Sequence, residues 1–100
     1  MVAAELQNLG FVEIHRGNTD AAERYFTEGE KIAPASDPYS AAMAVINKAA
    51  IAFLHGNKGE SRILLQRAQS LFKEAGIDPG ADDQFEIDWL SEQLKKNGRD

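Results

Sequence analysis

The strongest constraint in this sequence is a helix break that occurs twice, 39 residues apart. Gly17-Asn18 and Gly56-Asn57 each separate two stretches with helical spacing of apolar residues. Glycine adopts positive φ without steric cost, and asparagine is a good N-cap, so each dipeptide ends one helix and begins the next. Two helical hairpins of related design are therefore predicted.

Apolar residues recur at three- and four-residue intervals along five segments, and no segment favours a strand. The predicted helices span residues 2–15, 19–33, 38–55, 58–75 and 82–96. Asp37 and Pro38 form a start signal, as N-cap and first helical residue of the third helix. That helix is apolar nearly all round, so other elements must cover most of its sides. The sequence predicts an all-α protein.

Residue sizes match between the two hairpins when the chain is shifted by 39 residues. The aligned pairs are Gly10 and Ala49, Ala22 and Ser61, Phe26 and Leu65, and Gly29 and Ala68. An internal repeat of helical hairpins is the signature of an α-solenoid. A glycine inside a helix costs about 1 kcal/mol relative to alanine. We expect Gly10 to offset this cost by facing Ala22 at a close helix contact, with Phe26 filling the space beside it.

The first hairpin, residues 3–36, resembles a tetratricopeptide repeat. The positions that match the motif are Leu6, Leu9, Gly10, Gly17, Ala22, Phe26, Gly29 and Pro34. A second repeat, residues 42–75, is similar at Ala49, Gly56, Ser61, Leu65 and Ala68, but the chain departs from the motif at Glu13, Lys48 and Lys73. The resemblance implies a single domain, residues 1–100, with an α-α superhelix of two antiparallel helical hairpins plus a C-terminal capping helix, residues 82–96.

Two further features are the spacing between the two repeats and the presence of a final helix. They resemble, more weakly, the C-terminal helical repeat region of large bacterial LuxR-type ATPase-coupled transcription regulators. That resemblance implies that the chain is one piece of a larger signalling or transcription regulator.

The tetratricopeptide resemblance implies a protein-interaction module whose first helices line a concave groove for a peptide or partner helix. Carried over residue by residue, the groove positions are Gln7, Phe11, Ile14, His15, Met43, Ile46, Ala50, Phe53 and Leu54. Gln7 and Phe11 replace the Lys and Asn of a carboxylate clamp, so an acidic C-terminal peptide is not the expected ligand. An apolar groove suits a hydrophobic helix or an extended peptide. In the alternative, Ile14 and Phe53 belong to the core and the fifth helix folds back over the groove.

The alternative function is that of a small-molecule-sensing helical domain of a regulator. A pocket closed by the fifth helix would favour sensing, whereas a groove with solvent-facing Met43 and Ile46 would favour a protein partner.

The first helix carries an apolar arc that is too wide for the second helix alone to cover. Val2, Leu6, Leu9 and Phe11 lie on this arc, and the first three are the residues expected to form a self-association face. Stacked repeats usually need about three units for stability. The arc therefore predicts either a preceding repeat in a longer chain or a homodimer formed through this face, and a monomer with a fraying first helix is the alternative.

No residue pattern indicates an enzyme, a metal site or a cofactor. The chain has no cysteine, and His15 and His55 end helices, where imidazoles suit the helix dipole. Asp82, Asp83 and Glu86 are interpreted as acids that suit a helix start. The 11 basic and 16 acidic residues give a net charge of −5, which argues against direct nucleic-acid binding. The longest apolar stretch, residues 49–54, is too short to span a membrane, so a cytoplasmic protein is expected.

Overall fold

The computed structural model describes residues 3–33 and 37–97, which form five α-helices joined by short connections. The helices are α1 (Ala3–His15), α2 (Thr19–Ile32), α3 (Pro38–Leu54), α4 (Lys58–Ala75) and α5 (Ala81–Asn97). No strand occurs within these residues. The predicted all-helical composition is confirmed, with every described helix boundary within one residue of its predicted place. Val2 and Pro34, which the sequence analysis used, lie outside the described residues.

The two Gly-Asn turns have the same hydrogen-bond pattern. Gly17 has a φ of 80° and Gly56 a φ of 84°. In both turns the glycine amide donates to the carbonyl three residues earlier and the asparagine amide to the carbonyl five residues earlier, at 2.8–3.0 Å. These bonds satisfy carbonyl groups that the ends of α1 and α3 would otherwise leave unpaired. The expected side-chain caps are absent, and the Asn18 amide group donates instead to the Glu13 carboxylate at 2.7 Å.

The start of α3 is capped as its sequence predicts. The Asp37 carboxylate accepts hydrogen bonds from the Ser40 hydroxyl at 2.7 Å and from the Ser40 amide at 3.2 Å. These bonds hold the pKa of Asp37 below its ordinary value. A charged carboxylate therefore faces the positive end of the helix dipole at neutral pH.

Helix α3 is the centre of the fold and contacts all four other helices. The most extensive packing joins α3 to α4 and α1 to α2, and α2 also packs against α3. The buried residues of α3 are Ala42, Met43, Ile46, Asn47, Ala49, Ala50 and Ala52. The prediction that α3 is covered on most sides is confirmed.

In four of the pairs that align at the 39-residue shift, from Gly10 and Ala49 to Gly29 and Ala68, both members are buried. The aligned Asn8 and Asn47 differ, because Asn8 is exposed and Asn47 is buried. The polar member of the four buried pairs, Ser61, donates its hydroxyl hydrogen to the Ala49 carbonyl at 2.7 Å. This bond joins α4 to α3 and removes the cost of burying the hydroxyl group.

Gly10 allows the closest side-chain approach between α1 and α2. A Cβ atom added at Gly10 would lie 2.7 Å from Cδ1 and 2.9 Å from Cζ of Phe26, distances that real Cβ atoms do not have. The Phe26 ring is buried and meets the Phe11 ring edge-on, with centroids 5.3 Å apart. The Phe26 ring, which was expected to fill the space beside Gly10, therefore occupies the space that a side chain at residue 10 would need.

We predict that Gly10→Ala is less stable than Gly59→Ala by about 1–3 kcal/mol, the usual cost of overpacking. Both changes gain helix propensity, but a Cβ atom at Gly59 would have no neighbour within 4 Å. Urea unfolding of the two variants beside the unchanged chain measures this difference. Equal stability of the two variants would show that the Phe26 ring moves away without cost.

Candidate functional site

Helix α5 lies over the face of α1 and α3 that was predicted to be a groove. Its buried residues, Ile87, Leu90 and Leu94, join the same core as those of α1 and α3. Phe85, on another side of α5, is 63% exposed. The apolar floor of the predicted groove is therefore covered by a helix of the chain itself.

The predicted groove residues divide into core and surface positions. Phe11, Met43, Ile46 and Ala50 are at most 4% exposed, so they form core and not an open binding surface. Ile14 is also buried, while Gln7, Phe53 and Leu54 are half-buried and His15 is exposed. The expectation of an open apolar groove is thereby corrected, because α5 packs on it. The alternative, with the fifth helix folded back, describes this structure.

A polar cluster fixes the beginning of α5. The Tyr39 hydroxyl donates to Oδ2 of Asp83 and accepts a hydrogen bond from the Gly80 amide at 2.8 Å. Oδ1 of Asp83 accepts from Nε2 of Gln7 at 3.2 Å. Burial and then the Asp83 hydrogen bond raise the pKa of Tyr39 above its ordinary value, so the hydroxyl is a donor at neutral pH. One carboxylate thus joins α5 to both α1 and α3.

A second set of contacts lies further along α5, near the ends of α1 and α3. His15 Nε2 and Glu86 Oε1 are 2.9 Å apart. The Trp89 ring packs edge-on against the His15 ring and the Phe53 ring, at centroid distances of 4.6 and 6.0 Å. Asp83 contacts the early parts of α1 and α3, and Trp89, further along α5, contacts their late parts. Helix α5 therefore runs in the same direction as both helices.

Glu86 is held by two opposing electrostatic effects. Burial raises the pKa of the Glu86 carboxyl above its ordinary value, and the charges of Asp83 and Asp82 raise it further. The hydrogen bond and charge of His15 act in the opposite direction, but the net shift is upward. An ionised Glu86 therefore costs free energy in the folded chain, despite its contact with His15.

Helix α5 leaves a pocket of about 340 Å³ at the early end of the predicted groove. Its walls come from α1, α2, α3 and the first turn of α5. Apolar surface predominates, and it includes Phe26, Gly29, Met43 and Ala44. This volume and this mixture of apolar walls with a few polar groups are typical of sites for small ligands or single side chains.

Asn47 is the polar residue buried most deeply in the pocket wall. It is 4% exposed, and its Oδ1 has no hydrogen-bond partner. Its Nδ2 donates to Oε1 of Gln7 over a long distance of 3.4 Å. An unpaired buried amide oxygen costs about 1–3 kcal/mol. The wall of the pocket therefore contains an acceptor that the described chain leaves unsatisfied, and this oxygen is buried rather than exposed in the cavity.

The charged residues around the pocket are all acidic. Glu30, Asp82 and Asp83 line it, and no lysine, arginine or histidine does so among the described residues. A negative potential at the pocket follows from this arrangement.

Sequence reasoning gave Tyr39 and Asn47 no functional role, and it interpreted Asp83 and Glu86 as acids of a helix start. Asn47 gave a signal, because it is an amide on a helix that is apolar nearly all round, and it aligns with Asn8 at the 39-residue shift. Asn8 also lines the pocket. Tyr39 gave no such signal, because its partners, Gly80 and Asp83, lie more than 40 residues away in the chain.

The residues predicted for self-association are partly covered within the chain. Leu6 is 8% exposed, and its Cβ would lie 3.5 Å from a Cβ atom added at Gly29 of α2. Leu9 is half-buried, and Val2 lies outside the described residues. The expectation that Leu6 is uncovered is corrected, because Leu6 is buried within the chain and packs against α2 at Gly29. Pairing of two copies stays a prediction.

No protein-family model, curated protein or solved structure matches the chain. Over the residues that the structure describes, no three His, Asp or Glu side chains are grouped so that they could hold a metal ion. None of the described helices combines the length and the apolar character needed to cross a membrane.

We predict that Tyr39→Phe weakens the docking of α5. The change removes the donor to Asp83 and the acceptor for the Gly80 amide, and a hydrogen bond to a charged group contributes about 1.5–3 kcal/mol. Hydrogen exchange of α5 amides should accelerate more than that of α4 amides. Tyr25→Phe, on α2, is the matched control. Unchanged exchange of α5 in Tyr39→Phe would contradict a role of this cluster in docking.

We predict that Glu86→Gln stabilises the chain at pH 7 and that its advantage disappears in acid. The raised pKa of Glu86 means that folding favours its protonated form. Glu86 therefore contributes most to stability below its unfolded pKa, and this contribution is lost as pH rises through the folded pKa. The measurement is urea unfolding of both chains between about pH 4 and pH 7. A constant difference across this range would show that burial does not dominate at Glu86.

Proposed function

We propose that the chain is a tetratricopeptide-like protein-interaction module with α5 as a cap over its groove. The equal hydrogen bonds in the two Gly-Asn turns support this proposal, as does the shared burial of the aligned small and large residues. In this arrangement the two hairpins, α1–α2 and α3–α4, stack as successive repeats of a short superhelix. Their first helices are α1 and α3; α5 contacts both of them and also packs against α4.

The surface that binds the partner is the pocket at the early end of the groove. The single observation that carries this choice is that a pocket of about 340 Å³ is lined by two of the predicted groove residues, Gln7 and Met43, and by the start of α5. The rest of the groove floor is buried by α5 and offers a partner nothing to contact. The ligand is therefore one side chain of a peptide or protein partner, held at the mouth of the groove, and not a helix laid along it.

Sensing of a small molecule is the second candidate function. It is favoured by the position of α5, because the first turn of this helix forms one wall of the pocket. In either case the chain would work as a binding part of a larger signalling or transcription regulator. Both functions use the same pocket, so one set of variants tests both.

The test is selection from a random peptide library against the whole chain, with Ala44→Phe as the blocked form. Ala44 lines the pocket from α3, so a phenyl group there fills it. Ala41→Phe, at an exposed position of the same helix, adds the same bulk away from the pocket. We expect selected peptides to bind the unchanged chain and Ala41→Phe, and to lose affinity by about tenfold or more with Ala44→Phe, a loss of about 1.4 kcal/mol or more.

A screen of small-molecule fragments by NMR, with the same two variants, addresses the second function. If fragments bind the unchanged chain and Ala41→Phe but not Ala44→Phe, and no peptide is selected, this result would establish sensing in place of peptide binding. Peptides that bind Ala44→Phe as well as the unchanged chain would overturn the pocket as the site.

A further inference from the structure

The pocket has a chemical preference that follows from its charges and its unpaired acceptor. Glu30 and Asp82 are exposed carboxylates at its edge, and Asp83 adds a third beside them. The described lining residues include no basic side chain that would neutralise them. An anion entering this pocket would meet only like charge, whereas a cation would be attracted.

Asn47 supplies a second, independent indication. Its side chain is nine-tenths or more buried, lines the pocket, and has an oxygen without a hydrogen-bond partner. The terminal torsion of an asparagine side chain is soft, so the amide group can turn to meet a ligand. A ligand that donates a hydrogen bond to this oxygen would recover the free energy that its burial costs. The pocket therefore needs a donor as well as a positive charge.

The walls determine the remainder of the ligand. Phe26, Met43 and Ala44 present apolar surface between the acidic edge and the core. We infer that the pocket binds a protonated amine or a guanidinium group carried on an apolar stem. This inference rests on the proposed function, since it names the ligand of the same pocket. A lysine or arginine side chain of a partner and a free alkylamine share this chemistry.

The test compares three probes with the same alkyl chain but different head groups. Hexylammonium, 1-hexanol and hexanoate are titrated into the whole chain, and binding is followed by NMR at the Asn47 side-chain amide. We expect hexylammonium to bind at least about tenfold more tightly than 1-hexanol, and hexanoate not to bind, because the acidic edge attracts only the cation. The preference for hexylammonium should decrease when salt rises from about 20 mM to about 300 mM, since these carboxylates are exposed.

Variants of the edge identify the charges responsible. Glu30→Gln with Asp82→Asn should reduce hexylammonium binding by about tenfold and leave 1-hexanol binding unchanged. Glu28→Gln is the matched control, because Glu28 lies on the same helix, pairs with Lys31 at 3.6 Å and does not line the pocket. Asn47→Leu should weaken hexylammonium binding while the unfolding temperature stays the same or rises, which separates loss of the acceptor from loss of the fold.

Short peptides distinguish the source of the cation. If a lysine peptide binds more tightly than the same peptide with norleucine, the cation belongs to a protein partner. If hexylammonium binds and the lysine peptide does not, the cation belongs to a free amine. Either result supports the inference. Equal affinity for hexylammonium and 1-hexanol, or no binding of hexylammonium at all, would overturn it. The peptide selection with Ala44→Phe would still decide separately whether the pocket is the binding site.

Discussion

The whole arrangement depends on covering α3, a helix that is apolar nearly all round. Helix α4 packs against it within the second hairpin, and α2 packs against it between the two hairpins. Helix α1 contacts it as well. These three helices leave the side that carries Met43, Ile46 and Ala50, and α5 buries it. Each large apolar side chain that stays exposed costs about 1.5–3 kcal/mol relative to burial. The position of α5 over the groove is thus the solution to a burial problem that α3 creates.

Apolar burial alone does not determine where α5 begins and ends along α1 and α3. The polar contacts do so, because Asp83 requires Gln7 and Tyr39 together at one end, and His15 meets Glu86 and Trp89 at the other. A shift of α5 by one turn would break these contacts, and the half-buried Asp83 carboxylate would lose its hydrogen bonds to Gln7 and Tyr39. These pairs therefore specify the register of α5, and the pocket is the space left before its first turn.

The sequence predicted the helices well because local signals determine them. Positive-φ glycines, the Asp37 cap and the apolar spacing act within a few residues, and all five helices lie where these signals place them. The coverage of the groove could not be derived in the same way. The apolar residues of α5 lie on more than one of its faces, so their spacing does not predict which face is buried. They are Phe85, Ile87, Trp89, Leu90 and Leu94, and packing leaves Phe85 exposed. The Tyr39–Asp83 bond joins residues 44 apart, a distance over which periodicity carries no information.

The proposed ligand site and the docking of α5 are one equilibrium. Gly80, Ala81, Asp82 and Asp83 line the pocket, so the complete site exists only when the start of α5 is docked on α1 and α3. A ligand that binds this docked form stabilises it by mass action, and the docked form in turn raises the affinity for the ligand by the same factor. Glu86 does not line the pocket, so its contact with His15 affects the proposed site only through the docking of α5. Under the proposed function, a ligand in this pocket would therefore stabilise the docked start of α5.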